Sequence, residues 1–219
     1  QAYRDGEWMY QDYLYDDHGA LGVLDPTTPW KLVDFLFSTV AGTYTYPTAR
    51  KYADNASDLV EFRTKPLAGS TAFRVTLNSL SDPSLVGFTI ALGDSANPQE
   101  WPYGADVTSP AAYFVTVHGT TATMTNATSG KMLRPSPSVS VSVHRRQFTI
   151  EVPHQTWDPG RSTVRMPVGV GLWDTDHDRY LLPAVGTATA STPGGGGAAP
   201  AAIVNVGPRF NELWPTIAE

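Results

Sequence analysis

The chain has 219 residues, of which 41% are hydrophobic and 11% aromatic, so it can bury a sizeable core as one large domain. Its net charge of −6 argues against a nucleic-acid partner, and no run of about 18 apolar residues could span a membrane. Because it contains no cysteine, disulfides, thiolate metal sites and cysteine nucleophiles are excluded.

Alternation of apolar and polar side chains dominates the chain and predicts strands. Trp8 and Tyr10 alternate as in a strand, whereas Thr27–Phe37 could form one or two helical turns. From about residue 58 the alternation recurs between turn clusters. The predicted strands are 58–65, 71–80, 86–92, 112–118, 121–126, 138–143, 147–153, 164–173, 179–182 and 202–206. The clearest hairpin joins 138–143 to 147–153.

Short strands without intervening amphipathic helices predict an all-β fold, an antiparallel β-sandwich with long loops. One such loop spans 94–111, and another, 186–201, contains the low-complexity run T-P-G-G-G-G-A-A-P, which predicts a mobile surface loop. We therefore expect a single β-sandwich module over 1–207. Residues 208–219 read as a tail or linker toward a following domain.

Most catalytic patterns are absent from the sequence. There is no Gly-x-Ser-x-Gly elbow, and the five histidines lack zinc-ligand spacing. The D-x-D-x-D run at 174–178 has no glycine or glutamate where an EF-hand requires them, so we predict a polar turn there. A carboxylate pair for glycoside hydrolysis stays possible, but no pair is marked. An enzyme in its own right is the weakest of the functional hypotheses.

The segment Y-L-Y-D-D-H-G-A at 13–20 is a candidate metal loop. Asp16 and Asp17 precede a glycine, which lets the backbone turn sharply. Asp54 and Asp58, which come shortly before and at the start of a predicted strand, could complete a shell of hard oxygen ligands for calcium. A solvated acidic turn explains the same residues equally well.

Two motifs together resemble a known family. Y-D-D-H-G at 15–19, followed by G-T-Y-T-Y-P-T at 42–48, is similar to the G-D-D-x-G-P-G-x-Y-x-Y-P-T signature of the C-terminal module of glucodextranase. Such modules occur in secreted bacterial carbohydrate-active enzymes, including actinobacterial hydrolases. The resemblance follows the order of motifs over roughly residues 3–180 and is specific mainly at 13–20 and 42–48.

The resemblance implies a DOMON-like or family-9 carbohydrate-binding fold, no catalysis, a structural calcium near the acidic loop, and attachment to a hydrolase catalytic domain. It also implies an extracellular location, which the low charge content of 16% and the 18 prolines fit. This sequence departs from the signature because residues 21–41 separate its two halves. That insertion either preserves the two ends of the loop or dismantles the ion site.

If the module binds a polysaccharide or a cell-surface glycan, exposed aromatic rings should stack on the sugar. Trp101 and Tyr103, in a loop stiffened by prolines, are the best candidates. The alternative is that Trp101 packs against the sandwich edge. A different functional hypothesis is a structural domain that packs on and stabilises a hydrolase catalytic domain without a ligand of its own.

Overall fold

The computed structural model describes residues 2–19, 43–52, 56–196 and 201–207. Within these ranges the regular structure is almost entirely β, apart from two short 3₁₀ turns at Arg50–Tyr52 and Pro83–Leu85. The strands are β1 (Ala2–Arg4), β2 (Glu7–Gln11), β3 (Leu59–Pro66), β4 (Ser70–Leu77), β5 (Val86–Leu92), β6 (Gln99–Glu100), β7 (Thr108–Ser109), β8 (Tyr113–His118), β9 (Thr121–Asn126), β10 (Ser138–Ser142), β11 (Gln147–Pro153), β12 (Val168–Asp174), β13 (Arg179–Tyr180) and β14 (Asn205–Gly207).

Two antiparallel sheets form the body of the molecule. The first has the strand order β1-β2-β3-β4-β11-β10, and the second has the order β13-β12-β5-β8-β9, with β14 also paired to β12. The predicted all-β antiparallel sandwich is therefore confirmed. No helix among the described residues is long and apolar enough to cross a membrane.

The core lies between the two sheets and follows from the alternation in the sequence. In the first sheet, neighbouring strands bring Phe62, Val75 and Phe148 into one row, and all three side chains are fully buried. Across the sandwich, Phe148 contacts Phe88 of β5 edge-to-face at a centroid distance of 5.1 Å. Aromatic pairs in this geometry add to the burial of apolar area that holds the sheets together.

The central strands of the second sheet are buried on both faces, which explains why β5 reads V-G-F-T-I-A-L with every residue buried. Its inner face packs on the first sheet, and its outer face carries a second core cluster that includes Trp101, Phe114, Trp173 and Tyr180. The predicted long loop 94–111 supplies part of this cover and contains the small β6–β7 hairpin, which the sequence did not predict.

The glycine-rich segment lies at the surface over much of its described part, 186–196, but backbone hydrogen bonds join it to the 43–49 segment. Thr189 accepts a backbone hydrogen bond from Thr48 at 2.7 Å, and Gly194 exchanges two with Thr45. At Gly195 a Cβ atom would lie 1.7 Å from the carbonyl oxygen of Thr43. The absence of side chains therefore lets this backbone pack directly on the 43–49 segment.

Besides Asp54 as a metal ligand, three predictions fall on residues that the structure does not describe. They are the helical turns at Thr27–Phe37, the effect of the 21–41 insertion, and the tail at 208–219. The 138–143 and 147–153 hairpin, in contrast, is confirmed as β10 and β11, which pair in the register Val141↔Phe148.

Candidate cation site at one end of the sandwich

Three of the four predicted metal-binding aspartates lie together and are buried. Asp16 and Asp17 are each 1% exposed, and Asp58 is fully buried. Asp54 lies outside the described residues. Burial of three carboxyl groups is costly unless they are protonated, hydrogen-bonded or neutralised by a cation, so this cluster is not the solvated acidic turn that the sequence left open.

Backbone pairing brings the acidic loop to this position. After β2 ends, the amide of Asp12 donates to the carbonyl of Val60 at 3.0 Å, which keeps the chain beside β3. Gly19 then adopts a φ of +68° and donates to Val204 at 2.8 Å. Residues 16–19 are thereby held between the start of β3 and the chain entering β14.

Asp58 holds the loop through one of its two carboxylate oxygens. Its Oδ2 accepts from the backbone N–H of Tyr15 at 2.7 Å and from Nδ2 of Asn78 at 2.9 Å. Its Oδ1 is buried and has no hydrogen-bond partner, and Asp58 takes part in none of the ion pairs of the structure's described part.

The pKa of Asp58 is raised to about 6, chiefly by burial and in smaller part by the nearby charge of Asp17. Hydrogen bonds from Tyr15 and Asn78 act in the opposite direction and lower that pKa. Because desolvation is the largest cause, the ionised form of this carboxyl group is disfavoured in the fold. A cation beside it would reverse that preference.

The tyrosines of the Y-T-Y-P-T motif border the same cluster. Tyr46 donates its hydroxyl hydrogen to Oδ2 of Asp17 and accepts a hydrogen bond from the backbone N–H of Ser57 at 3.0 Å. Burial and then the charge of Asp17 raise the pKa values of both Tyr44 and Tyr46. Both phenols are therefore neutral, and Tyr46 positions the carboxylate of Asp17 rather than supplying a reactive phenolate.

Asn205 closes the cluster from the far end of the chain. Its Nδ2 donates to Oδ1 of Asp16 at 2.6 Å, across 189 residues of sequence. Asn205 is itself 1% exposed and belongs to β14, which pairs with β12. The contact therefore fastens the N-terminal acidic loop to the second sheet.

Several buried oxygen atoms around the aspartates lack hydrogen-bond partners. One is Oδ1 of Asp58 itself, and another is Oγ of the adjacent Ser57. The others are Oδ1 of Asn205, whose amide nitrogen bonds to Asp16, and the hydroxyl of Tyr44, whose pKa is raised by burial and by the charge of Asp17. Buried polar atoms are usually satisfied, so a group of unsatisfied oxygens in one place needs an explanation. Carboxylate, amide and hydroxyl oxygens are the ligands that calcium takes.

The protein oxygens do not already form a complete metal site. Among the described residues, no group of three or more His, Asp or Glu side chains is arranged to hold a metal ion. The carboxylates instead engage the amide of Asn205, the hydroxyl of Tyr46 and the partners of Asp58. The donor set fits a hard cation in its chemistry, and any shell would draw on amide and hydroxyl oxygens as well as carboxylates.

The predicted sugar platform is not exposed. Trp101 is only 7% exposed, packs on Phe114 at 6.0 Å between ring centroids, and donates from Nε1 to Oγ of Ser109 at 2.7 Å. The structure corrects the expectation of a free indole face because the outer side of the second sheet needs an apolar cover. Tyr103 is half-buried, and its ring packs on Trp173 with centroids 5.4 Å apart.

The acidic run at 174–178 forms the predicted polar turn. Oδ1 of Asp174 accepts from the backbone N–H groups of Asp176 and His177, at 3.1 and 3.3 Å. These bonds close an Asx-type turn between β12 and β13. They give the side chain of Asp174 a role in holding the turn.

Sequence reasoning identified the acidic residues of the candidate site but not their partners. The resemblance placed the Y-T-Y-P-T motif beside the acidic loop, but the sequence assigned no role to Tyr44 or Tyr46. Asn205 carried no signal, since it lies in a short strand with no motif around it.

The fold and the site define an antiparallel β-sandwich with a buried acidic cluster at one end. No protein-family model matches the chain, and no curated protein is significantly similar to it.

Proposed function

We propose that this chain is a non-catalytic, extracellular binding module in which a calcium ion organises one end of the β-sandwich and whose ligand is a carbohydrate. The module would act as an accessory to a secreted hydrolase, as the resemblance to the C-terminal module of glucodextranase implies. The observation that supports it is the buried acidic cluster with its unsatisfied oxygens.

A calcium ion would account for the buried carboxyl groups and for the buried oxygens that lack hydrogen-bond partners. Asp58 forms no ion pair with the residues that the structure describes, and its Oδ1 lies buried without a hydrogen bond from them. Asp16, Asp17 and Asp58 would hold the ion, with the side-chain oxygens of Ser57 and Asn205 as further donors. When bound, the ion would supply the positive charge that lets these carboxyl groups ionise inside the fold.

The same residues connect three distant parts of the chain. Asp16 and Asp17 lie in the loop after β2, Asp58 lies directly before β3, and Asn205 lies in β14. A cation among them would stabilise only the folded protein, because these groups are far apart in the unfolded chain. Its effect would be structural, because an ion that binds only the folded state stabilises that state by mass action.

A calcium titration of the metal-depleted protein tests this part. We expect Ca²⁺ to raise the melting temperature in proportion to RT ln(1 + [Ca²⁺]/Kd) and Mg²⁺ to raise it less, since magnesium requires a smaller octahedral shell. Asp17→Asn should raise the Kd for Ca²⁺ at least tenfold. Equal melting temperatures in chelator and in millimolar calcium would refute the calcium site.

Binding to neutral polysaccharides tests the carbohydrate part. We expect retardation of the protein in native gels that contain an α-glucan, a β-glucan, a xylan or a mannan. Loss of retardation when the corresponding free oligosaccharide is added would establish specific recognition. A module that binds calcium but none of these polymers would instead support the hypothesis of a domain that only packs on a hydrolase.

A further inference from the structure

We infer that the loop Tyr13–Tyr15 is the carbohydrate-binding platform of this protein, with the rings of Tyr13 and Tyr15 stacking on a neutral sugar chain. The inference rests on the proposed function and names the surface that would carry it. It replaces Trp101, whose indole is buried in the core.

Three consecutive large apolar side chains are exposed in this loop. Tyr13 is 42% exposed, Leu14 51% and Tyr15 59%. A run of three exposed apolar residues is unfavourable for solubility and is expected mainly where a surface binds something. The next two residues, Asp16 and Asp17, are buried. Exposed aromatic residues are thus followed directly by buried acidic ones.

The backbone of Tyr15 is strained, and the strain is not offset by packing of its own ring. Its φ is +68°, a conformation that glycine or asparagine adopts more cheaply than a bulky aromatic residue. Tyr103 also has a positive φ, of 59°, but its ring packs on Trp173 and its hydroxyl bonds to Thr123. No such contact exists for the Tyr15 side chain within the described part of the chain, which points to a use outside the fold.

The loop is nevertheless held in place. Oδ1 of Asp12 accepts from the N–H of Tyr13 at 3.1 Å, and Oδ2 of Asp58 accepts from the N–H of Tyr15 at 2.7 Å. A fixed backbone presents the two rings with little loss of conformational entropy on binding, which favours affinity. The second of these anchors belongs to the acidic cluster, so the cation site and the platform share one residue.

A sugar chain fits this surface better than a protein or a membrane. An aromatic side chain buries about 150–250 Å² when covered, so three side chains supply less than the roughly 800 Å² per partner of a stable protein interface. The loop from Gln11 to Gly19 contains no Lys or Arg and the protein has a net charge of −6, which disfavours an anionic lipid surface. Phenol rings offer both an apolar face for the C–H groups of a pyranose and a hydroxyl at the rim.

The test compares Tyr13→Ala, Tyr15→Ala and Tyr15→Phe with the wild-type protein in the same polysaccharide gels. We expect each alanine variant to weaken binding about threefold to tenfold, the range for loss of one aromatic contact, and Tyr15→Phe to retain most of it. Tyr3→Ala is the matched control because Tyr3 is also exposed, at 73%, but lies on β1. Melting curves in calcium verify that every variant is folded.

The possible outcomes separate the two proposals. Wild-type binding that survives both alanine substitutions would overturn the platform and leave the carbohydrate function standing. Failure of the wild-type protein to bind any of the polymers would overturn both. Binding of the wild type, but not of the alanine variants, to vesicles of three parts phosphatidylcholine to one part phosphatidylserine, without glycan binding, would assign the loop to a membrane and refute the inference.

Discussion

Replacing Asp58 by asparagine should stabilise the protein in chelator and destabilise it in calcium. The new side chain can accept from Tyr15 and Asn78 through its Oδ1, as Oδ2 of Asp58 does now. Its Nδ2 would take the place of the buried oxygen that has no hydrogen-bond partner. The variant therefore removes a disfavoured buried charge without removing the hydrogen bonds that hold the loop.

The size of the effect follows from the pKa of Asp58. Its value in the fold is about 6 and its ordinary value 3.8, so the difference of about two units corresponds to roughly 3 kcal/mol. Because the pKa is raised, this penalty is fully present above pH 6 and is lost as the pH falls toward 4. For a chain of 219 residues, 1 kcal/mol shifts the melting temperature by about 2–4 °C, so the upper limit is about 6–12 °C.

Thermal unfolding by circular dichroism, in chelator and in millimolar calcium, measures both consequences. In chelator the melting temperature of the wild-type protein should rise as the pH falls from 7 to 5. This rise should be absent in Asp58→Asn. Asp5→Asn makes the same change of charge at a side chain that is 86% exposed and should leave the melting temperature almost unchanged. If Asp58→Asn lowers the melting temperature in chelator at pH 7, the explanation from a disfavoured buried carboxylate is refuted.

Three further substitutions test the packing. Trp101→Ala should destabilise the protein by about 3–5 kcal/mol in urea unfolding, because it empties a core position; a loss of polysaccharide binding with stability unchanged would contradict this role. Gly195→Ala should raise the rate of proteolysis far more than Gly186→Ala, since both have positive φ but only Gly195 has backbone atoms in the way; equal rates would show that the contact is unimportant. Thr89→Val should cost about 1–3 kcal/mol, because the buried hydroxyl of Tyr180 loses its 2.7 Å partner, and Tyr180→Phe in the same background should show the coupling in a double-mutant cycle.

The sequence predicted strands well where one face is buried and the other polar, and it also gave the correct bounds for β5, which is buried on both faces. The bounds of β9 and β11 were predicted correctly, because alternation and turn residues define both ends of each. The β6–β7 hairpin was not predicted, since two-residue strands are too short to show a period. The burial of Trp101 depends on which sheet face is left uncovered, and that is a property of the assembled sandwich.

The candidate site was predictable only in part. Asp16, Asp17 and Asp58 were grouped through their chemistry and their positions beside a glycine and a strand start. Asn205 reaches Asp16 only because β14 pairs with β12, a contact between elements that are far apart in the chain. Pairings of this kind leave no local pattern, so the partners of the acidic residues became visible only in three dimensions.

The contact between the glycine-rich segment and the 43–49 segment limits where this protein can be cut or extended. A run such as T-P-G-G-G-G invites use as a fusion point or as the new termini of a circular permutant. Residues 193–196 would be a poor choice, because an added side chain at Gly194 or Gly195 meets backbone atoms within 3 Å. The turn at Gly130, where a Cβ atom would have no neighbour within 4 Å, is the safer place to open the chain.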